Sequence, residues 1–128
     1  MKRDLIYCNV LSKNHQKLIE FYTNVLGLDP LDKEADTAAE KWYGFDTGTV
    51  QFAIEPMSNR DKYKFDYEKK NPVLIQFKAV SMEDLTQMTE RLEKAGVVIG
   101  QRIMKKSYGT VTTFVDPDGN VIELLYTE

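Results

Sequence analysis

A chain of 128 residues with 42% apolar and 29% charged side chains has material for one compact core, and its composition excludes a fibrous or largely disordered protein. Its 17 basic and 20 acidic residues leave a net charge of -3 and are scattered, which excludes the clustered positive surface that nucleic acid requires. The single cysteine, Cys8, excludes an internal disulfide and fits a buried thiol in a reducing compartment.

Met1-Lys2-Arg3-Asp4 leads straight into the run Leu5 to Leu11, which is too short and too polar for a signal peptide or a membrane span, so a cytoplasmic chain is expected. Residues 5–11 alternate like a strand, with Ile6, Cys8 and Val10 on one face and Tyr7 and Asn9 on the other. Ser12 or Asn14 then caps a predicted helix whose Leu18, Phe21, Tyr22, Val25 and Leu26 keep helical spacing, and Gly27 supplies the left-handed residue that ends it. His15, the only histidine, falls at the start of that helix and is expected on the surface. Two strands follow at residues 42–45 and 49–55, joined by the turn Asp46-Thr47-Gly48. The second alternates Val50, Phe52 and Ile54 with Gln51, Ala53 and Glu55.

A charge-dense stretch around Arg60, Lys64 and Lys70 reads as a solvated connector. After it the plan repeats. A strand alternates Ile75, Phe77 and Ala79 with Gln76 and Lys78, and a helix opens on Ser81 with Asp84 three residues on, in the manner of a capping box. Leu85, Met88, Leu92 and Ala95 hold its period and Gly96 closes it. Strands at 110–115 and 121–126 are joined by Asp116-Pro117-Asp118-Gly119-Asn120, where proline pre-sets a turn. One offset of 69 relates Ile6 to Ile75, Ser12 to Ser81, Gly27 to Gly96 and Phe45 to Phe114. The expectation is one α+β domain over residues 1–128, with a first module at 1–55, a charged connector at 56–72 and a second module at 73–128.

If the helices cover the apolar strand faces, then Tyr7, Asn9, Gln51, Glu55, Gln76, Lys78 and Glu123 collect on the opposite side. Any one of them is explained by simple solvation. Glu123 is the exception, because it lies inside the run Val121-Ile122-Glu123-Leu124-Leu125-Tyr126. A carboxylate withdrawn from water costs several kcal/mol unless it is paired or bound. Its candidate roles are functional, or structural in an ion pair with Lys78.

Residues 19–28, IEFYTNVLGL, with Tyr108-Gly109 and residues 114–124, FVDPDGNVIEL, resemble the glyoxalase / bleomycin-resistance / extradiol-dioxygenase group, the vicinal oxygen chelate superfamily. The resemblance implies two βαβββ modules forming a cupped mixed sheet, often as a homodimer, and in many members a divalent metal. It places the ligand positions on first and last strands, which fall on Tyr7, Gln76 and Glu123, with Glu55 as the fourth. The chain departs from the pattern in having no histidine on these strands. Two carboxylates, an amide and a phenol suit harder ions than zinc, nickel or iron.

The expected function is therefore small-molecule binding without a metal or other cofactor, with no nucleic-acid or membrane partner. Trp42, Tyr43 and Tyr108 would wall the site, joined by Tyr7, Asn9, Gln51, Glu55, Gln76 and Lys78. The alternative is a divalent-metal-dependent lyase or thiol transferase of glyoxalase type in which Glu123 binds metal or acts as general base. A third reading is an interaction module with no ligand.

Overall fold

The computed structural model describes residues 1–59 and 74–128. The chain forms two compact units, Met1–Lys70 and Asn71–Glu128. Most of the expected charged connector lies outside the described residues.

In the first unit, β1 (Tyr7–Ser12) leads into α1 (His15–Glu20), and β2 (Tyr43–Phe45) pairs with β3 (Gln51–Pro56). The sheet order is β1-β3-β2, with β1 parallel to β3 and β2 antiparallel to it. The hydroxyl of Ser12 accepts from the Asn14 N–H at 2.9 Å and fastens the turn into α1. The helix then widens into a π turn over Phe21–Val25, where the Leu26 N–H reaches back to the Phe21 carbonyl. Gly27, at φ 79, ends it, and the Leu28 N–H caps the Tyr22 carbonyl at 2.9 Å. The core is aromatic. The Tyr22 ring lies 4.7 Å from Phe52 and 6.3 Å from Phe45, and Leu18, Ile19 and Ile54 close around them with no exposure.

The expected strand between α1 and β2 is reduced to a single bridge, Pro30 to Phe45. The residues explain why. Proline has no N–H to continue a ladder. Beyond it Asp32 and Asp36 turn the chain on itself, their carboxylates accepting from the N–H groups of Glu34 and Ala38. The first module is thus βαββ with one bridge in place of the further strand.

The second unit has the full βαβββ plan: β4 (Ile75–Lys78), α2 (Met82–Lys94), β5 (Ile99–Lys106), β6 (Gly109–Val115) and β7 (Val121–Tyr126), in sheet order β4-β7-β6-β5. Ser81 caps α2 by accepting from the Asp84 N–H at 3.0 Å, and the Asp84 carboxylate reaches back to the Val80 N–H at 2.9 Å. Leu85, Leu92, Val111, Phe114 and Ile122 are fully or nearly fully buried. One polar chain crosses this core. The Thr89 hydroxyl donates to the Leu85 carbonyl and meets the Thr112 hydroxyl at 2.8 Å, which in turn accepts from the Ile103 N–H. That last bond holds Ile103 in the bulged part of β5 at φ 41, a conformation a β-branched residue adopts only under constraint.

Among the described residues no helix is long and apolar enough to cross a membrane. Replacing Ser81 by alanine removes the only side-chain oxygen at the α2 N-terminus that accepts from Asp84, and is expected to lower unfolding free energy by about 1 kcal/mol in a urea titration.

Candidate functional site

Strand register decides which side chains share a row. Aligning the hairpin pair Phe45–Phe52 with Phe114–Ile122, as the offset of Phe45 to Phe114 directs, brings Ala53 onto Glu123, Gly44 onto Thr113 and Asn9 onto Gln76. The first sheet therefore carries the row Asn9, Ala53, Gly44, and the second carries Gln76, Glu123, Thr113, continued by Gln101 on β5. This corrects the pairing of Tyr7 with Gln76. The 69-residue offset shrinks to 67 on the first strand, because the two modules differ in the lengths joining strand to helix to hairpin. Glu55 does share a face with Tyr7 and Asn9, yet it sits two residues beyond the place that matches Glu123, opposite Leu11.

In the second unit Glu123 is 3% exposed. Its Oε1 accepts from the Gln76 amide at 2.8 Å and from the Tyr108 phenol at 3.4 Å. Tyr108 reaches it because Gly109 lets the β5–β6 turn lean on β7: a side chain there would meet the Tyr126 carbonyl oxygen at 2.5 Å. Lys78 lies on the same face but makes no ion pair with Glu123 and is exposed. The ion pair with Lys78, the alternative to a functional role for Glu123, is absent, and the carboxylate is held by neutral donors alone among the described residues. Further along the row, Gln101 Oε1 is buried without a hydrogen-bond partner among the described residues.

In the first unit the same row is filled differently. Ala53 and Gly44 are small, and the benzenoid edge of Trp42 rests where a Gly44 side chain would be, its Cζ3 only 2.8 Å from an added Cβ. The indole N–H donates to Asn9 Oδ1 at 3.0 Å, and the Tyr7 ring meets the indole edge-on at 5.7 Å and 85°. Trp42 and Tyr7 nonetheless keep 42% and 45% of their surface exposed. They form a right-angled aromatic corner with an amide at its side.

Two further expectations are corrected. Tyr43 is on the opposite face, buried against Phe45 at 5.3 Å, because alternation that turns Trp42 outward turns Tyr43 into the core. His15 is 6% exposed rather than on the surface, and its Nε2 lies 2.5 Å from the Lys41 carbonyl oxygen. That contact fixes the residue immediately before Trp42. Gln51 is committed to the β2–β3 turn, accepting from the Thr47 N–H at 2.8 Å. Cys8, on the core side of β1, is partly buried, and burial pushes its thiol up from the ordinary value.

Among the described residues no three histidine, cysteine, aspartate or glutamate side chains converge on one point. The carboxylate that would lead such a site is already engaged by an N–H and an O–H, groups of the polarity a cation would displace. What the second unit offers is a buried base or acceptor, and what the first offers is an aromatic surface.

Because Trp42 is the chain's single tryptophan, its fluorescence reports this corner alone. His15→Ala is expected to move that emission to longer wavelength and increase its quenching by acrylamide. His15→Gln, whose amide nitrogen occupies nearly the place of Nε2, is expected to keep both at wild-type values.

The glyoxalase/bleomycin resistance protein/dioxygenase superfamily model matches residues 5–124. No curated protein sequence matches. Among solved structures, a glyoxalase/bleomycin resistance protein/dioxygenase family enzyme from Burkholderia phytofirmans PsJN superposes with a TM-score of 0.82 at 18% identity, covering 98% of this chain and 100% of that one. A glyoxalase-related enzyme from Fulvimarina pelagi gives a TM-score of 0.80 at 13% identity over 98% of this chain and 89% of its own. TnmS3, an antibiotic binding protein from Streptomyces sp. CB03234, gives 0.73 at 18% identity over 99% and 98%. With the paired modules, their mixed sheets and a family match across nearly its whole length, the chain belongs to the glyoxalase/bleomycin resistance protein/dioxygenase superfamily.

Proposed function

We propose that this superfamily member is a small-molecule-binding protein that takes a flat, partly aromatic ligand against Trp42, Tyr7 and Asn9 on the open face of its first sheet. The observation that carries this reading is the fixed, half-exposed indole. A tryptophan on a surface ordinarily samples several rotamers, whereas Trp42 is held by a hydrogen bond, by an edge-on ring and by close packing over Gly44. Ordering it in advance removes an entropic cost that a ligand would otherwise meet on binding. The structural likeness to an antibiotic binding protein supports the same reading.

The proposal includes no resident metal, a homodimer and a cytoplasmic setting. Exposed Leu5 and Ile6 beside β1, which among the described residues is paired on one side only, support association with a second copy. The lone, partly buried thiol of Cys8 suits a reducing compartment.

A thermal-shift screen of antibiotics, glutathione and bacillithiol adducts and 2-oxoaldehydes tests it. A ligand at 100 times its Kd adds about 2.7 kcal/mol to stability, and Trp42→Ala should abolish the shift. No shift with any class would leave the reading of an interaction module.

One observation favours a second reading, in which Glu123 is the reactive group of a lyase or thiol transferase. A carboxylate 3% exposed, with an amide and a phenol placed on one of its oxygens, has the position such a reactive group would need. Metal analysis of protein purified without chelator separates the two. The binding reading expects no stoichiometric divalent ion, and an ion lost on Glu123→Gln overturns it in favour of the enzyme.

A further inference from the structure

The amide of Asn9 has a polarity that the structure fixes without ambiguity. An indole N–H is a donor and has no acceptor capacity, so the atom facing Trp42 Nε1 at 3.0 Å must be the Asn9 oxygen. The Asn9 nitrogen, with two N–H groups, is thereby turned away from Trp42. It has no hydrogen-bond partner among the described residues, and Asn9 is exposed. Its counterpart in the second unit, Gln76, spends the equivalent nitrogen on Glu123. Ala53, which stands where Glu123 would, offers Asn9 no such acceptor.

We propose that Asn9 sets the ligand class of the Trp42 site, donating from Nδ2 to an acceptor on the edge of a planar aromatic ring. The ligand is then an aromatic carbonyl compound or an aza-aromatic, and not one whose ring edge carries only N–H or O–H donors. This inference rests on the reading of Trp42 as a ligand surface. The aromatic corner supplies contact area with little regard to substituents, and the amide supplies the discrimination. Water serves the free N–H groups in the absence of ligand, so a ligand that covers them without an acceptor loses what water gave.

Quinoline and indole make the test, being flat bicyclic rings of similar size that present a ring-nitrogen acceptor and an N–H donor respectively. Their dissociation constants are measured by ligand-observed NMR on the full chain, with Trp42→Ala to establish that binding is at this site. In the wild type quinoline is expected to bind about threefold to tenfold more tightly than indole, the range a single net hydrogen bond supplies. Asn9→Asp keeps an oxygen for the Trp42 N–H and replaces the free donor by an acceptor, so the preference should reverse while Trp42 emission stays unchanged. A preference unaltered in Asn9→Asp overturns the role of Asn9 and leaves the aromatic surface standing. A shift of Trp42 emission in that variant also overturns it, because the indole would then not be what orients the amide. Failure of both probes to bind the wild type at Trp42 removes the surface itself, and the inference with it.

Discussion

The cross-strand register of each module's parallel strand pair is the constraint on which the rest depends. Pairing β1 with β3 so that Asn9 faces Ala53, and β4 with β7 so that Gln76 faces Glu123, puts one amide at the head of a row in each sheet. Because side chains alternate with a period of two, a slip of one residue would send both amides into the helix-covered core and expose Phe52 and Ile122. The buried faces forbid that slip. Each row inherits its orientation from hydrophobic packing on the far side of its own sheet, and needs no polar interaction of its own to define it.

With geometry set by packing, the two modules could diverge on their open faces. The second carries a carboxylate and places an amide and a phenol beside it, which satisfies Glu123 Oε1 with two neutral donors. The first has the small residues Ala53 and Gly44 in the same row, and the space they leave admits the edge of Trp42. One architecture thus presents a buried carboxylate in one copy and an aromatic plane in the other. The loss of a regular strand after α1 belongs to the same divergence, since the turns at Asp32 and Asp36 lead to the segment that delivers Trp42.

Much of this was legible in residues that act locally. Ser81 with Asp84, the helix-ending Gly27 and Gly96, and the alternation of strands β1 and β4 each follow from interactions within a few residues, and the structure keeps them, whereas β3 is buried on both faces from Phe52 onward. What failed were inferences needing a count across loops. The offset of 69 holds for Phe45 and Phe114 but slides to 67 on β1, so Tyr7 stood where Asn9 belongs. Alternation forbids Trp42 and Tyr43 from sharing the open face, and Tyr43 is the one turned into the core. His15 carried no local sign of burial, because its partner is a backbone carbonyl 26 residues away and no sequence pattern marks such an acceptor. Gln101 escaped notice for a related reason, its place in the Glu123 row being set by a bulge in β5.

That long-range contact explains how an exposed aromatic ring can be rigid. Trp42 follows directly after the backbone carbonyl that His15 engages, so the chain enters the indole from a point anchored to α1. From there Gly44 sets how closely the ring approaches the sheet and Asn9 sets its rotation. A helix, a strand and a hairpin each contribute one restraint, and no single one would suffice, because a surface hydrogen bond alone is worth only about 1 kcal/mol against the rotamer entropy of the side chain. The three restraints act on one ring, and through it on the amide. By taking the Asn9 oxygen, the indole decides what Asn9 has left to offer a neighbour, so the residue that supplies contact area also governs the polarity presented beside it.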